Sequence, residues 1–191
     1  MGKISSQLVC SSTDFTLLSS LLDSAASTFS LANSWRVRLG ALDAVRAISH
    51  RLVLDSNPRN RALKVFKDGL TDKVLDVRIF AHLCLAGLLR MVPSEDIMVI
   101  IAEAPKSRKR GKVQGQVADA IEVRHGKVLG LSATVLSHPT DLPEWMADAV
   151  TALCSLNDED PVIKQTIINT IGEFKKVSVI YLVIFLSLLP C

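Results

Sequence analysis

Apolar residues recur at helical spacing along nearly the whole chain. Phe15, Leu17, Leu18, Leu21 and Leu22 follow Asp14, which suits a helix cap, and the polar stretch from Ser30 to Ser34 closes that helix as a loop. Beyond it, Val37, Leu39, Leu42, Val45 and Ile48 fall near one stripe at 3.6 residues per turn, which predicts a helix over 35–54. Asn57-Pro58 is expected to end it, because a residue before proline is pushed out of the α region. Ala62, Leu63, Phe66 and Leu70 share one side of the next helix, over 59–70, and Leu70-Thr71-Asp72 forms a turn. Helices over 74–91 and 93–104 follow, then a loop rich in charge and glycine over 105–116. A helix over 118–137 is broken by His138-Pro139, and Pro143 takes a first helical position before 144–156. Residues 157–161 turn the chain into a last periodic helix over 162–175.

Four of these helices open alike, on Val37-Arg38, Val77-Arg78, Val123-Arg124 and the weaker Val162-Ile163-Lys164. The valines lie 40, 46 and 39 residues apart, the period of two-helix HEAT-type repeats. One such unit cannot bury its apolar face alone and must stack on its neighbours. The predicted fold class is therefore all-α: a HEAT-like α-solenoid of stacked antiparallel helix pairs, with the four valines at or near the starts of second-in-pair helices. Residues 1–33 hold an N-terminal segment and the first helix, 34–176 the repeats, and 177–191 an apolar tail. A hydrophobic share of 49% against 21% charge describes a folding chain, and the low aromatic share of 5% suits helix-on-helix packing.

Little in the chain points to catalysis or metal binding. Cys10, Cys84, Cys154 and Cys191 form no Cys-x-x-Cys pair, and His50, His82, His125 and His138 lack zinc-ligand or Ser-His-Asp spacing. Cys84 and Cys154, inside apolar helical runs, read as small buried hydrophobes of a reduced, intracellular protein. The N-terminus offers no basic and apolar signal pattern. No catalytic residue, metal site or cofactor is expected, and the chain does not read as an enzyme. Trp35 and Trp145, at helix starts, read as packing wedges. A net charge of +3 is too small to argue for nucleic acid, but its distribution is uneven. Lys106, Arg108, Lys109, Arg110 and Lys112 put five positive charges into seven residues, flanked by Pro105 and Gly111. That loop is a candidate import signal or anionic-partner contact, set against a merely solvated loop. Direct nucleic-acid binding is disfavoured, since no aromatic is interleaved for base stacking.

Residues 124–174 carry a more specific pattern. Arg124-His125 precedes Leu129-Gly130-Leu131; Pro139, Asp141, Pro143, Trp145 and Met146 form a Pro-x-Asp-x-Pro-x-Trp-Met turn; Leu156-Asn157-Asp158 leads to Pro161. In order and spacing this resembles the extreme C-terminal region of the large HEAT-repeat proteasome activators, the proteasome activator complex subunit 4 family. At lower strength, Ser34-Trp35-x-x-Arg38, the Leu70-x-Asp72 turn before Val77-Arg78 and the basic run from Lys106 extend the resemblance over about residues 30–176. It implies a C-terminal piece of a non-enzymatic, dome-like solenoid that caps the 20S proteasome α-ring. Such a cap opens the gate without ATP and promotes degradation of peptides and acetylated histones, in nucleus and cytoplasm. A peptide-binding HEAT scaffold or nuclear transport module is the alternative reading. A family-level link to acetyl-lysine recognition would need a polar-aromatic pair near Leu89-Arg90-Met91-Val92, where none is evident.

The end of the chain departs from the family pattern. The family docks through a terminal hydrophobic-Tyr-x motif, whereas this sequence closes on Leu188-Leu189-Pro190-Cys191, so tail docking is not expected of it. The 13 residues from Val177 to Leu189 are almost all Val, Ile, Leu, Tyr and Phe, too few for a spanning helix, and membrane contact is not expected. Lys176-Val177-Ser178 can be encoded with the shape of a splice donor, and the tail is expected to be intron read-through, with a weak anchor or a true final helix as alternatives.

Overall fold

The structure, a computed structural model, describes residues 12–52, 55–102, 120–156, 158 and 160–188. These residues form helices and turns and no strand. The helices are α1 (Ser12–Leu31), α2 (Trp35–Leu52), α3 (Ser56–Gly69), α4 (Leu75–Leu89), α5 (Ser94–Ala102), α6 (Ile121–Ser137), α7 (Met146–Ser155) and α8 (Pro161–Leu188). Consecutive helices pair as α1–α2, α3–α4, α5–α6 and α7–α8. The second members stack in one row, α2 on α4, α4 on α6 and α6 on α8, while α1 packs on α3 and α5 on α7 in the other. Between α3 and α5 the second row is bridged by the Arg59–Asp96 ion pair at 3.4 Å. This is the stacked solenoid that the period predicts, and Val37, Val77, Val123 and Val162 all lie within the first turn of a second-in-pair helix.

The core is aliphatic and continuous. Leu22, Leu42, Phe66, Leu85, Leu88, Leu129, Leu131, Leu153 and Ile163 are all essentially inaccessible. α6 is the most enclosed helix, with Val128 to Val135 buried throughout, because α4, α5, α7 and α8 all lean on it. Gly126 lets it approach the α3–α4 turn: a Cβ there would sit 2.6 Å from the Leu70 carbonyl oxygen.

Several boundaries differ from the periodic reading, each for a local reason. Asn57-Pro58 does not terminate a helix but lies inside the start of α3. Asp55 caps that helix, its carboxylate accepting from the Asn57 N–H at 2.9 Å, and Pro58 occupies the first turn, where its missing N–H costs nothing. α7 starts at Met146 rather than at Pro143: the Pro143 carbonyl accepts from the Met146 N–H at 2.8 Å in a turn that precedes the helix. α8 begins one residue early, with Pro161 in its first position and Asp160 capping the Val162 and Ile163 N–H groups at 2.8 and 3.3 Å. It does not stop near Lys175 but continues to Leu188. Cys84 is buried as expected, but Cys154 is exposed: Met146, Ala149 and Leu153 form the inward stripe of α7, and position 154 falls a hundred degrees past it.

Candidate functional site: the stacking ladder and the polar seam

The repeating Val-Arg dipeptide acts through its arginine. Val77 is fully buried, but Val37 and Val162 are 46% and 39% exposed, so the valines are not one structural position. Arg38, Arg78 and Arg124 are each the fourth residue of their helix, and each reaches toward the next repeat. Arg38 grips Asp72 with two bonds, Nε to Oδ2 at 2.6 Å and Nη2 to Oδ1 at 2.9 Å. Its Nη1 donates to the Ala32 and Asn33 carbonyls at 3.1 and 3.0 Å, tying the α1–α2 turn to the α3–α4 turn. Asp72 Oδ1 also accepts from the Val74 N–H at 2.8 Å. Arg78 Nη1 donates to the Asp72 carbonyl at 2.7 Å, and Arg124 faces Asp158 at 3.5 Å. Bidentate forks of this kind add geometry as well as energy. Burial pushes the Asp72 carboxyl up, but Arg38, the Val74 N–H and the Arg78 charge together hold it below the usual carboxylate range.

A polar seam runs through the α4–α6–α8 interface, and donor counting determines its protons. Arg78 Nε donates to His125 Nδ1 at 3.2 Å, so that nitrogen is an acceptor. Thr166 spends its hydroxyl proton on the Val162 carbonyl at 2.9 Å and therefore accepts from His125 Nε2 at 3.0 Å. Thr170 likewise donates to the Thr166 carbonyl at 2.8 Å and accepts from Ser132 at 2.5 Å. Ser132 must then accept from His82 Nε2 at 3.0 Å. His125 is thus the neutral Nε2–H tautomer, and His82 carries a proton on Nε2. Burial, with the neighbouring His125, pushes His82 down to about 4; burial, then the Arg78 charge, lowers His125 against an opposing pull from Asp160. The two histidines take the structural roles their helix positions suggest, but their partners escape sequence reading, since Ser132, Thr166 and Thr170 belong to no motif.

The family-pattern turn is a packing joint. Trp145 and Met146 are buried, Pro139 and Pro143 half-buried, and Asp141 exposed. Trp145 meets His138 edge-on, with ring centroids 5.3 Å apart and planes at 86°. Ser137 donates to the Thr134 carbonyl at 2.7 Å, so His138 Nδ1–H donates to Ser137 at 2.8 Å. Arg90, at the end of α4, donates to the Ser137 carbonyl at 2.8 Å and so fastens this joint to the preceding pair. Trp35 is half-buried, with the Arg36 guanidinium 4.6 Å over its ring. Lys106, Arg108, Lys109, Arg110 and Lys112 lie outside the described residues. A cleft of about 160 Å³ between Leu70, Leu85, Ile100 and Gly130 is smaller than the sites that enclose organic ligands. Among the described residues no helix is long and apolar enough to cross a membrane.

Helix pairs stacked in register, with an arginine from the first turn of α2, α4 and α6 reaching toward the next repeat, define a HEAT-like solenoid segment. Residues 121–178 match the family described as proteasome activator complex subunit 4-like, C-terminal. The chain belongs to the proteasome activator complex subunit 4 family, whose C-terminal domain it carries. It is 32% identical to the Arabidopsis thaliana "Proteasome activator subunit 4" over 152 residues, which cover 75% of this chain and 8% of that one. Identity to the Homo sapiens "Proteasome activator complex subunit 4" is 38% over 121 residues, covering 56% of this chain and 6% of the relative. The Xenopus laevis protein of the same name matches at 37% over an equal span. The chain therefore spans 8% or less of the length of these relatives.

Proposed function

We propose that this chain is the C-terminal stacking segment of a proteasome activator and contributes to 20S α-ring binding and ATP-independent gate opening. The observation that carries the reading is the family match over residues 121–178, which spans α6, the Trp145 joint and the seam residues Thr166 and Thr170 of α8. The role is regulatory: a surface that positions a larger solenoid, with peptides and acetylated histones as the material degraded. The segment's own physics suits that task, since the bidentate Arg38–Asp72 bond and a polar seam fix the register of stacked pairs. Nuclear as well as cytoplasmic residence, with Lys106 to Lys112 as import signal, belongs to the same reading.

A chimera tests it. The C-terminal region of the human relative is replaced by residues 30–176 of this chain, and peptide hydrolysis by purified 20S particles is measured. Stimulation comparable to the parent is expected, whereas the 191-residue chain alone, a small part of a dome, is expected to give none. A stably folded chimera that binds no 20S particle and leaves hydrolysis at its basal rate would refute the proposal.

A further inference from the structure

We propose that the α1–α2 end of the stack is an open docking face for one further helix pair of the same kind, seated with its intra-pair turn against Gly40. The assignment starts from a regularity of the ladder. Arg124 faces the following pair through Asp158. Gly126 lies two residues on, about 200° round the helix, and faces the preceding pair, where an added Cβ would meet the Leu70 carbonyl oxygen at 2.6 Å. Arg38 likewise reaches the following pair at Asp72, so Gly40 points the opposite way, to the side where a preceding pair would lie. A Cβ added at Gly40 meets nothing within 4 Å. The space that is filled beside α6 is open beside α2.

The surroundings of Gly40 are apolar. On α1, Leu17, Leu21 and Leu31 are 57%, 47% and 81% exposed and fall within one stripe, turned away from the Asp23–Arg61 ion pair that joins α1 to α3. Thr28, inside that stripe, donates its hydroxyl to the Ser24 carbonyl at 2.8 Å and asks nothing of a partner. On α2, Val37 and Ala47 are exposed on the side of Gly40. The turn at 32–34 carries no acid to extend the ladder, so apolar contact holds the incoming pair. The other end of the row does not match this face: on α8, opposite the threonines that meet α6, Lys164, Gln165 and Lys175 surround Ile168, as in a capping repeat. Copies of the chain therefore do not stack head to tail. A 20-residue helix is about 30 Å long, and two helices about 10 Å apart make a face of roughly 600 Å². Covering it buries about 1,200 Å² in total, the bottom of the range for independent partners. That favours an occupant in the same chain, at an effective concentration on the order of millimolar, over a second copy. The relatives have the length for such a pair, since this chain spans 8% or less of them. The inference rests on stacking geometry and stands apart from the 20S reading.

Thiol labelling of a Val37→Cys variant reads the face, with the exposed Cys154 as internal standard and each site followed by peptide mass spectrometry. In the full chain, position 37 is expected to react within about threefold of Cys154, as exposure dictates. The chain is then fused behind the two helix pairs that precede the counterpart of α1 in the Arabidopsis thaliana relative. Labelling at 37 is expected to slow at least about tenfold against Cys154, the mark of a covered site. Adding Gly40→Arg is expected to restore fast labelling in the fusion and to leave the unfused chain unchanged. Should the fusion fail to fold, the same comparison is made in the full-length Arabidopsis relative with its counterpart of 12–176 replaced by this chain's residues. Slow labelling at 37 in the unfused chain overturns the proposal: a dependence on protein concentration would give the face to a second copy, and none would give it to the chain's own ends. A folded fusion in which position 37 stays as reactive as before, or stays protected despite Gly40→Arg, overturns it as well.

Discussion

Gly126 is the position where the stacking geometry can be challenged with one methyl group. The α6 backbone there passes so close to the α3–α4 turn that an added Cβ would lie 2.6 Å from the Leu70 carbonyl oxygen, 2.8 Å from Thr71 Cγ2 and 3.0 Å from the Leu70 carbonyl carbon. Two of those three atoms are backbone, so no rotamer change relieves the contact; α6 and the turn must separate by more than half an ångström, to judge from ordinary carbon–oxygen spacing of about 3.2 Å or more. Overpacking of this kind costs about 1–3 kcal/mol, and a rigid obstacle puts it at the upper end. Replacing glycine by alanine inside a helix returns about 1 kcal/mol. Gly126→Ala is therefore expected to destabilise by about 2 kcal/mol net, or about 4–8 °C in melting temperature for a chain of this size. Gly130, one turn later on the same helix, is the control: its added Cβ would meet Leu70 Cδ1 at 3.5 Å and Ile100 Cγ2 at 3.8 Å, ordinary contacts. Gly130→Ala is expected to raise the melting temperature slightly, by the propensity gain alone. Thermal and urea unfolding followed by circular dichroism compare the two. If Gly126→Ala proves as stable as Gly130→Ala, the close approach of α6 to the turn is not a feature of the folded protein.

The ladder and the seam lead to three further expectations. Arg38→Ala should cost about 2 kcal/mol, because it strands a nearly buried Asp72 carboxylate, while Arg38→Lys, which keeps the charge and loses the fork, should cost less; an unchanged urea midpoint for Arg38→Ala would remove the ladder from the stability argument. Thr166→Val and Thr170→Val each leave a buried donor of the seam unpaired and should cost about 1–3 kcal/mol, with Thr→Ser at the same positions close to native; valine variants as stable as the serine ones would contradict the proton assignment. The Asp72 carboxyl, held below its ordinary 3.8, contributes stability that is present above that value and is lost as pH falls through its lower folded value. The seam histidines, also depressed, contribute stability that is present above 6.5 and is lost as pH falls toward about 4 for His82. Acid unfolding of the native chain should thus proceed through two windows, and Asp72→Asn should erase only the lower one.

The fold was legible because stacking requires the same residues at the same place in each unit. That repetition marks the four second-in-pair helices in the sequence alone. It marked them by the wrong member of the dipeptide: valine is the conspicuous apolar residue, yet only Val77 is fully buried, and the reach of Arg38 to Asp72 spans 34 residues that no local pattern connects. Asn57-Pro58 misled for a related reason, since proline signals a boundary without saying on which side of it the helix lies; the Asp55 cap decides that. The seam was the least legible part. His82, Ser132 and Thr170 come from three helices, and nothing in their spacing distinguishes them from surface polar residues. What distinguishes them is that Ser132 has no accessible surface and Thr170 has 3%, so each hydroxyl must spend its one proton inside the protein. Once Thr170 is seen to give its proton to the Thr166 carbonyl, the direction of every other bond follows back to His82. A polar seam with one permitted proton arrangement specifies which helix can stack on α6, and at which register, in a way that an apolar face cannot, because an apolar face accepts any neighbour of similar shape. In a solenoid built from near-equivalent pairs, that selectivity separates the intended neighbour from the others.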